Sequence, residues 1–112
     1  MLKKGCKMSY SLFLDDERFP PQKVPVGEWI IARSLDEVKH VIQKHGFPAF
    51  VSFDHDLGEG PTGMDVAKYL VDLDMDQKLM PADFSYYVHS QNPIGAANIR
   101  GYLDGYLRIK AI

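Results

Sequence analysis

The stretch FVSFDHDLGEG, residues 50–60, decides how this chain is read. Phe50, Val51 and Phe53 form an apolar run suited to a buried strand, and Asp54, His55 and Asp56 follow at once, with Glu59 in the loop beyond. Acid groups this close repel one another unless a cation or a proton intervenes. The stretch therefore reads as a strand that ends at a chemically loaded edge, with a metal as the question it raises.

Working outward, two further apolar runs end in the same way. YSLFLDDE, residues 10–17, closes on Asp15 and Asp16, and FSYYVHS, residues 84–90, closes on His89 and Ser90. WIIARS, residues 29–34, is the remaining strand. It is separated from the first by RFPPQKVPVGE, whose three prolines and one glycine predict a loop.

Helices are expected between the later strands. Ser34 and Glu37 in SLDE form a capping-box pattern; Leu35, Val38, Val41 and Ile42 supply a buried stripe, and Gly46 stops the helix. Thr62 is the expected N-cap of a helix through GMDVAKYLVDLD, with Asp65 in its first turn, and Met80-Pro81 marks the exit. Asn92-Pro93 opens the last helix, in which Ile94, Ala97, Leu103, Tyr106 and Leu107 are read as one face and Gly101 and Gly105 as weak points. Strands alternating with helices predict an α/β fold with a mainly parallel sheet of about four strands, and ligands then bind beyond the carboxyl ends of the strands.

The global numbers agree with one domain. The chain has 112 residues, 46% hydrophobic and 12% aromatic, enough for a single core, read as residues 9–112 behind a tail of residues 1–8. A net charge of -2 excludes a broad basic field for nucleic acid, though not local binding of a phosphate. The one cysteine, Cys6, excludes an internal disulfide and a thiolate zinc cluster. No apolar run reaches the roughly 18 residues of a membrane span, so a cytoplasmic protein is expected, with no membrane partner. No feature names a protein partner.

Asp15, Asp16, Asp54, His55, Asp56, His89 and Ser90 thus gather on one edge. Carboxylates from two strand ends suit Mg²⁺, commonly held by one or two carboxylates together with a substrate phosphate. An acidic pair by itself is a common solvated turn; its registry with FDHD is what raises it to a site. His55 and His89 have the chemistry to divide general acid and base work, since a free imidazole titrates near ~6.5. Ser90 and the amides after Asn92 form a candidate phosphate cradle, and Arg18 either reaches a phosphate or pairs with Glu17 or Asp16. His40 and His45, on or just after the first helix, read as surface.

Taken together, LFLDDERFP, VSFDHDLG, TGMDVAKYL and VHSQNPIG resemble a receiver domain of the response-regulator superfamily, and more closely the cyclic-phosphate processing receiver-like domain, over roughly residues 10 to 110. The resemblance implies a trimmed, flavodoxin-like three-layer fold. It places Asp15 and Asp16 as a metal-binding acidic pair, Asp54 at the phosphoacceptor position, the Asp56 backbone carbonyl in the metal shell and Ser90 as the hydroxyl residue after the fourth strand. His55 and His89 match the extra histidines of the cyclic-phosphate family.

Two departures from an ordinary receiver bear on function. The sequence supplies no fifth strand ending in the acyl-phosphate lysine, Lys110 lying instead on the last helix, and the first crossover is only a proline-rich loop. Both argue against a phosphorelay switch. The implied activity is hydrolysis of a cyclic phosphate, on an RNA end or a small phosphate-containing molecule, with Mg²⁺ or Mn²⁺ held by Asp15, Asp16 and Asp54. Attack by Asp54 itself is a variant of it. The competing expectation is a non-catalytic receiver-like signalling or binding module.

Overall fold

The computed structural model, which describes residues 9–111, has four short strands and three helices, every strand but the first being followed by a helix. They are β1 (Ser11–Leu14), β2 (Trp29–Ala32), α1 (Leu35–His45), β3 (Phe50–Phe53), α2 (Gly63–Gln77), β4 (Ser85–Val88) and α3 (Pro93–Lys110). The expectations for residues 1–8, Cys6 included, lie outside the described residues. No described helix is long and apolar enough to cross a membrane.

The sheet is wholly parallel, in the order β2-β1-β3-β4, with Leu12 opposite both Ile30 and Val51, and Val51 opposite Tyr86. Chain direction then fixes the layers. The step from β1 to β2 runs one way across the sheet, whereas β2 to β3 and β3 to β4 run the other way. Right-handed crossovers place these two kinds of connection on opposite faces. Helices α1 and α2 share one face, with α3 packed against α2, and the loop of residues 15–28 covers part of the other. The architecture is thus the trimmed flavodoxin-like arrangement, with a proline-rich loop as its third layer.

Strand alternation matches this division. Leu12, Leu14, Ala32, Val51, Phe53 and Val88 enter one core with Val38 and Ile42 of α1, Val66 and Leu70 of α2, and Ile99 and Leu103 of α3. The residues between them face the loop. Ser11 accepts a bond from the Val26 amide at 3.0 Å, and Trp29 Nε1 donates to the Pro21 carbonyl at 2.9 Å. These bonds tie the loop down without regular structure of its own.

The helix starts form as their sequences require. Ser34 Oγ accepts the Glu37 amide at 3.2 Å, while the Glu37 carboxylate accepts the Arg33 amide at 2.8 Å. The Thr62 amide donates to Asp65 at 2.8 Å, and Asn92 Oδ1 accepts the Gly95 amide at 3.0 Å. The stripe expected on α3 needs correction. Ile94 and Ala97 are exposed, and the buried positions are Ala96, Ile99 and Leu103, with Tyr106 and Leu107 partly buried. Their spacing of three and four follows the 3.6-residue repeat from Ala96; Leu103, Tyr106 and Leu107 lie on this stripe as expected, and only Ile94 and Ala97 fall off it. Gly101 and Gly105 leave α3 unbroken, and a Cβ at either would meet open space.

At the far ends of α2 and α3 a buried charge joins the two helices. Asp74, only 2% exposed, accepts bonds from the Tyr106 hydroxyl at 2.6 Å, Lys110 Nζ at 2.8 Å and the Met80 amide at 2.8 Å. Burial alone would raise this carboxyl; the bonds from Lys110, Tyr106 and Met80 outweigh it and hold the group below its ordinary value. A depressed carboxyl contributes stability above its unfolded pKa, near 3.9, and that contribution is lost as pH falls through the folded value. Asp74→Ala is expected to cost about 2–3 kcal/mol in urea denaturation at pH 7, with the gap to wild type narrowing below about pH 4.

Candidate active site

Each of three strands hands a polar residue to the same place as it ends. Asp15 follows β1, Asp54 follows β3 and His89 follows β4, and one ligand-type atom from each lies within 4.8 Å of the others. Asp15 is fully buried and Asp54 nearly so, at 5% exposure. The strand ends are locked in register, since the Asp54 amide donates to the Leu14 carbonyl at 2.9 Å and the His89 amide to the Phe53 carbonyl at 2.9 Å.

Asp15 is the most heavily bonded group. One oxygen accepts the amides of Glu17 and Arg18, both at 2.9 Å, and the other meets Arg18 Nε at 2.9 Å and His89 Nε2 at 3.0 Å. Burial alone would raise its carboxyl, but the Arg18 and Glu17 amides, the His89 ring and the Arg18 charge hold it below the ordinary value. Asp54 is pushed the other way. Burial raises it and the charge of Asp15 raises it further, against smaller opposing effects from His89, Arg18 and the His55 amide. The two neighbouring carboxyls are thus shifted in opposite directions.

Arg18 therefore pairs with neither Glu17 nor Asp16, the alternatives open in the sequence. It bridges Asp15 and Asp54, at 2.9 and 3.6 Å, because the tight turn after β1 folds its side chain back over the buried acids. On the other side, Ser52 Oγ lies 2.7 Å from His89 Nδ1, and Phe13 stacks on the imidazole with centroids 4.7 Å apart and planes within 3°. Sequence reasoning missed Ser52. The signal was present in strand alternation, which puts Ser52 on the same sheet face as Asp54, two residues on.

The other predicted residues stand apart from this cluster. Asp16 and Glu59 are exposed. Asp56 is exposed and 2.9 Å from His55 Nδ1, a contact that lowers its carboxyl, with Asn92 Nδ2 at 3.4 Å. Ser90 Oγ accepts the Asn92 amide at 3.1 Å. With Gly95's amide taken by Asn92 and none on Pro93, the helix end is left with the Ile94 amide for an anion. His40 and His45 are exposed, as expected. Lys110 is bonded to Asp74, away from the cluster.

Two glycines shape the site. Gly63 lies against the Asp54 carbonyl so closely that a Cβ would overlap it, and its amide donates to the His55 carbonyl at 2.8 Å. Gly95, in the first turn of α3, lies against the His55 ring, where a Cβ would collide with it.

A sequence profile of the cyclic-phosphate processing receiver domain matches residues 10–105. The chain belongs to this family. No curated protein and no solved structure matches it. In this cyclic-phosphate processing receiver domain the profile spans all four strands and α3 as far as Gly105, including every residue of the buried cluster. By donor chemistry Asp15 and Asp54 could hold a small divalent cation, since carboxylate oxygens suit Mg²⁺ and Mn²⁺, with the His89 imidazole beside them.

Gly95→Ala tests how independent the two histidines are. It is expected to move the His55 ring resonances in ¹H–¹⁵N imidazole spectra while leaving those of His89 in place, at a stability cost of about 1–3 kcal/mol.

Proposed function

We propose that this receiver domain hydrolyses a cyclic phosphodiester, with a 2′,3′-cyclic phosphate on a nucleotide or RNA end as its substrate class. The supporting observation is the buried Asp15, Asp54 and His89 cluster at three strand ends in a chain of this family. Asp15 and Asp54 would hold Mg²⁺ or Mn²⁺, which when bound offsets the charge that builds on the phosphoryl oxygens.

The reaction joins a water oxygen to phosphorus and breaks one ring P–O bond, so that the freed ribose oxygen must gain a proton. His89 suits this exchange. Ser52 Oγ can donate to Nδ1 or accept from it, so the neutral and protonated rings are both satisfied, and Phe13 keeps the ring plane fixed. His55, turned toward Asp56, handles a proton at the rim or orients the substrate with Asn92. Arg18 and the Ile94 amide are the donors for non-bridging oxygens, and Ser90 positions Asn92.

Arg18 also favours a second reading. It bridges the two acids, which suits a binding or signalling module whose ligand displaces the guanidinium. Such a module binds without turnover.

The test is ring opening of an RNA oligonucleotide ending in a 2′,3′-cyclic phosphate, with Mg²⁺, Mn²⁺ or EDTA. Expected are metal-dependent turnover, a loss of about a hundredfold or more in His89→Ala and Asp54→Asn, and a smaller loss in His55→Ala. Calorimetric titration with Mn²⁺ should show binding that Asp54→Asn weakens. Absence of turnover on this RNA and on cyclic mononucleotides, in the presence of either metal, removes the enzyme reading and leaves the module.

A further inference from the structure

The sheet face opposite the helices is only partly covered. Phe13 of β1, Trp29 of β2, Phe50 of β3 and Tyr87 of β4 make the floor of a cleft of about 390 Å³, whose wall comes from Pro21 and Pro25 of the loop. Trp29 meets Phe13 and Phe50 edge-on, with centroids 5.6 and 6.1 Å away. Tyr87, on the sheet edge, is 61% exposed. A volume of this order lies near the lower end of small-molecule sites, roughly 300–1,000 Å³, and suits one planar group in place of a polymer.

The cleft borders the candidate active site. Its inner end is made by Ser52 and His89, the same imidazole whose Nε2 meets Asp15 at 3.0 Å, so one ring borders both compartments. Lys23 stands on the loop side with the cleft's remaining charge. A substrate bridging the two would thus carry an anionic group, met by Arg18 and by the cation that Asp15 and Asp54 would hold, and a flat, weakly polar group among the aromatic rings. A nucleoside phosphate has that division of chemistry. Aromatic rings favour stacking of a planar base over packing of a flexible acyl chain.

We propose that the cleft floored by Phe13, Trp29, Phe50 and Tyr87 is a nucleobase subsite, which rests on the cyclic-phosphate reading above and narrows its substrate to nucleoside cyclic phosphates. Ser52 is engaged by His89 and the Trp29 indole N–H by the Pro21 carbonyl, and the rest of the floor is hydrocarbon apart from the Tyr87 hydroxyl. The subsite therefore stacks bases without reading their edges, and purines and pyrimidines bind comparably.

Trp29 is the sole tryptophan of the chain, so its fluorescence reports on the cleft directly and needs no turnover. The probes are adenosine and cytidine 2′,3′-cyclic monophosphate, ribose 2,3-cyclic phosphate without a base, and a short RNA with a cyclic-phosphate end. Saturable quenching by both nucleotides is expected, with the base-free sugar binding at least tenfold more weakly. Tyr87→Ala, at an exposed position that leaves the core intact, should weaken nucleotide binding by about tenfold and Tyr87→Phe should restore it. Comparable binding of RNA and mononucleotide assigns the subsite to a terminal base, and tighter binding of RNA adds contacts beyond it.

Equal affinity for the base-free sugar, or no change in Tyr87→Ala, overturns the subsite. Emission that shifts with protein concentration alone, with dimers in sedimentation, assigns the cleft to a second copy and also overturns it. Base-dependent quenching without hydrolysis leaves the subsite standing and defeats the enzyme reading. Hydrolysis indifferent to the base does the reverse.

Discussion

A carboxylate removed from water has to find replacements for its hydration, and Asp15 finds them in two parts of the chain. Two amides come from the turn that follows β1, a guanidinium from the same turn, and an imidazole from the end of β4, 74 residues later in sequence. Asp15 thereby sets the path of the chain out of β1, the position of Arg18 and the rotation of His89. Asp54 depends on it in turn, because the charge of Asp15 is one of the two causes that raise the Asp54 carboxyl. Moving Asp15 would disturb all three neighbours together.

The two sides of the sheet are unequal for a reason of topology. One backward step, from β1 to β2, places a single connection on the face away from the helices, and that connection carries three prolines. A helix there would have buried Phe13, Trp29, Phe50 and Tyr87 under a regular apolar stripe. The loop covers only part of them, pinned by Ser11, Trp29 and the Arg33 guanidinium, which donates to the Asp15 carbonyl at 3.0 Å. The result is a rigid aromatic surface beside the acidic cluster.

Much of this was legible in the sequence. Each strand was marked by an apolar run, and the caps at Ser34, Thr62 and Asn92 announced where helices begin, because those signals are local. The edge that gathers Asp15, Asp54 and His89 followed from the rule that strand ends of a parallel sheet share one side. What could not be read was rotation about individual side chains. Whether Arg18 turns to Asp16 or to Asp15, and whether His55 turns to Asp56, depends on packing among residues distant in sequence. Ser52 was overlooked for a related reason: a serine inside an apolar run is ordinarily a tolerated small residue, and only the placement of His89 gives it a partner. The misplaced start of the α3 stripe arose from counting Ile94 as apolar and therefore buried, although it is exposed in the first turn of the helix.

The register of β1 also governs how the chain can be made. Its central residue Leu12 has one partner in Ile30 and another in Val51, and neither pairing is local. During synthesis β1 emerges first yet stays without its second neighbour until residue 53 has left the ribosome, and Asp15 without its imidazole until residue 89. The acid that organises the mature site therefore waits for the last strand before its partners are complete. The nascent chain carries it in water through most of its elongation, and closure of the site coincides with completion of the sheet.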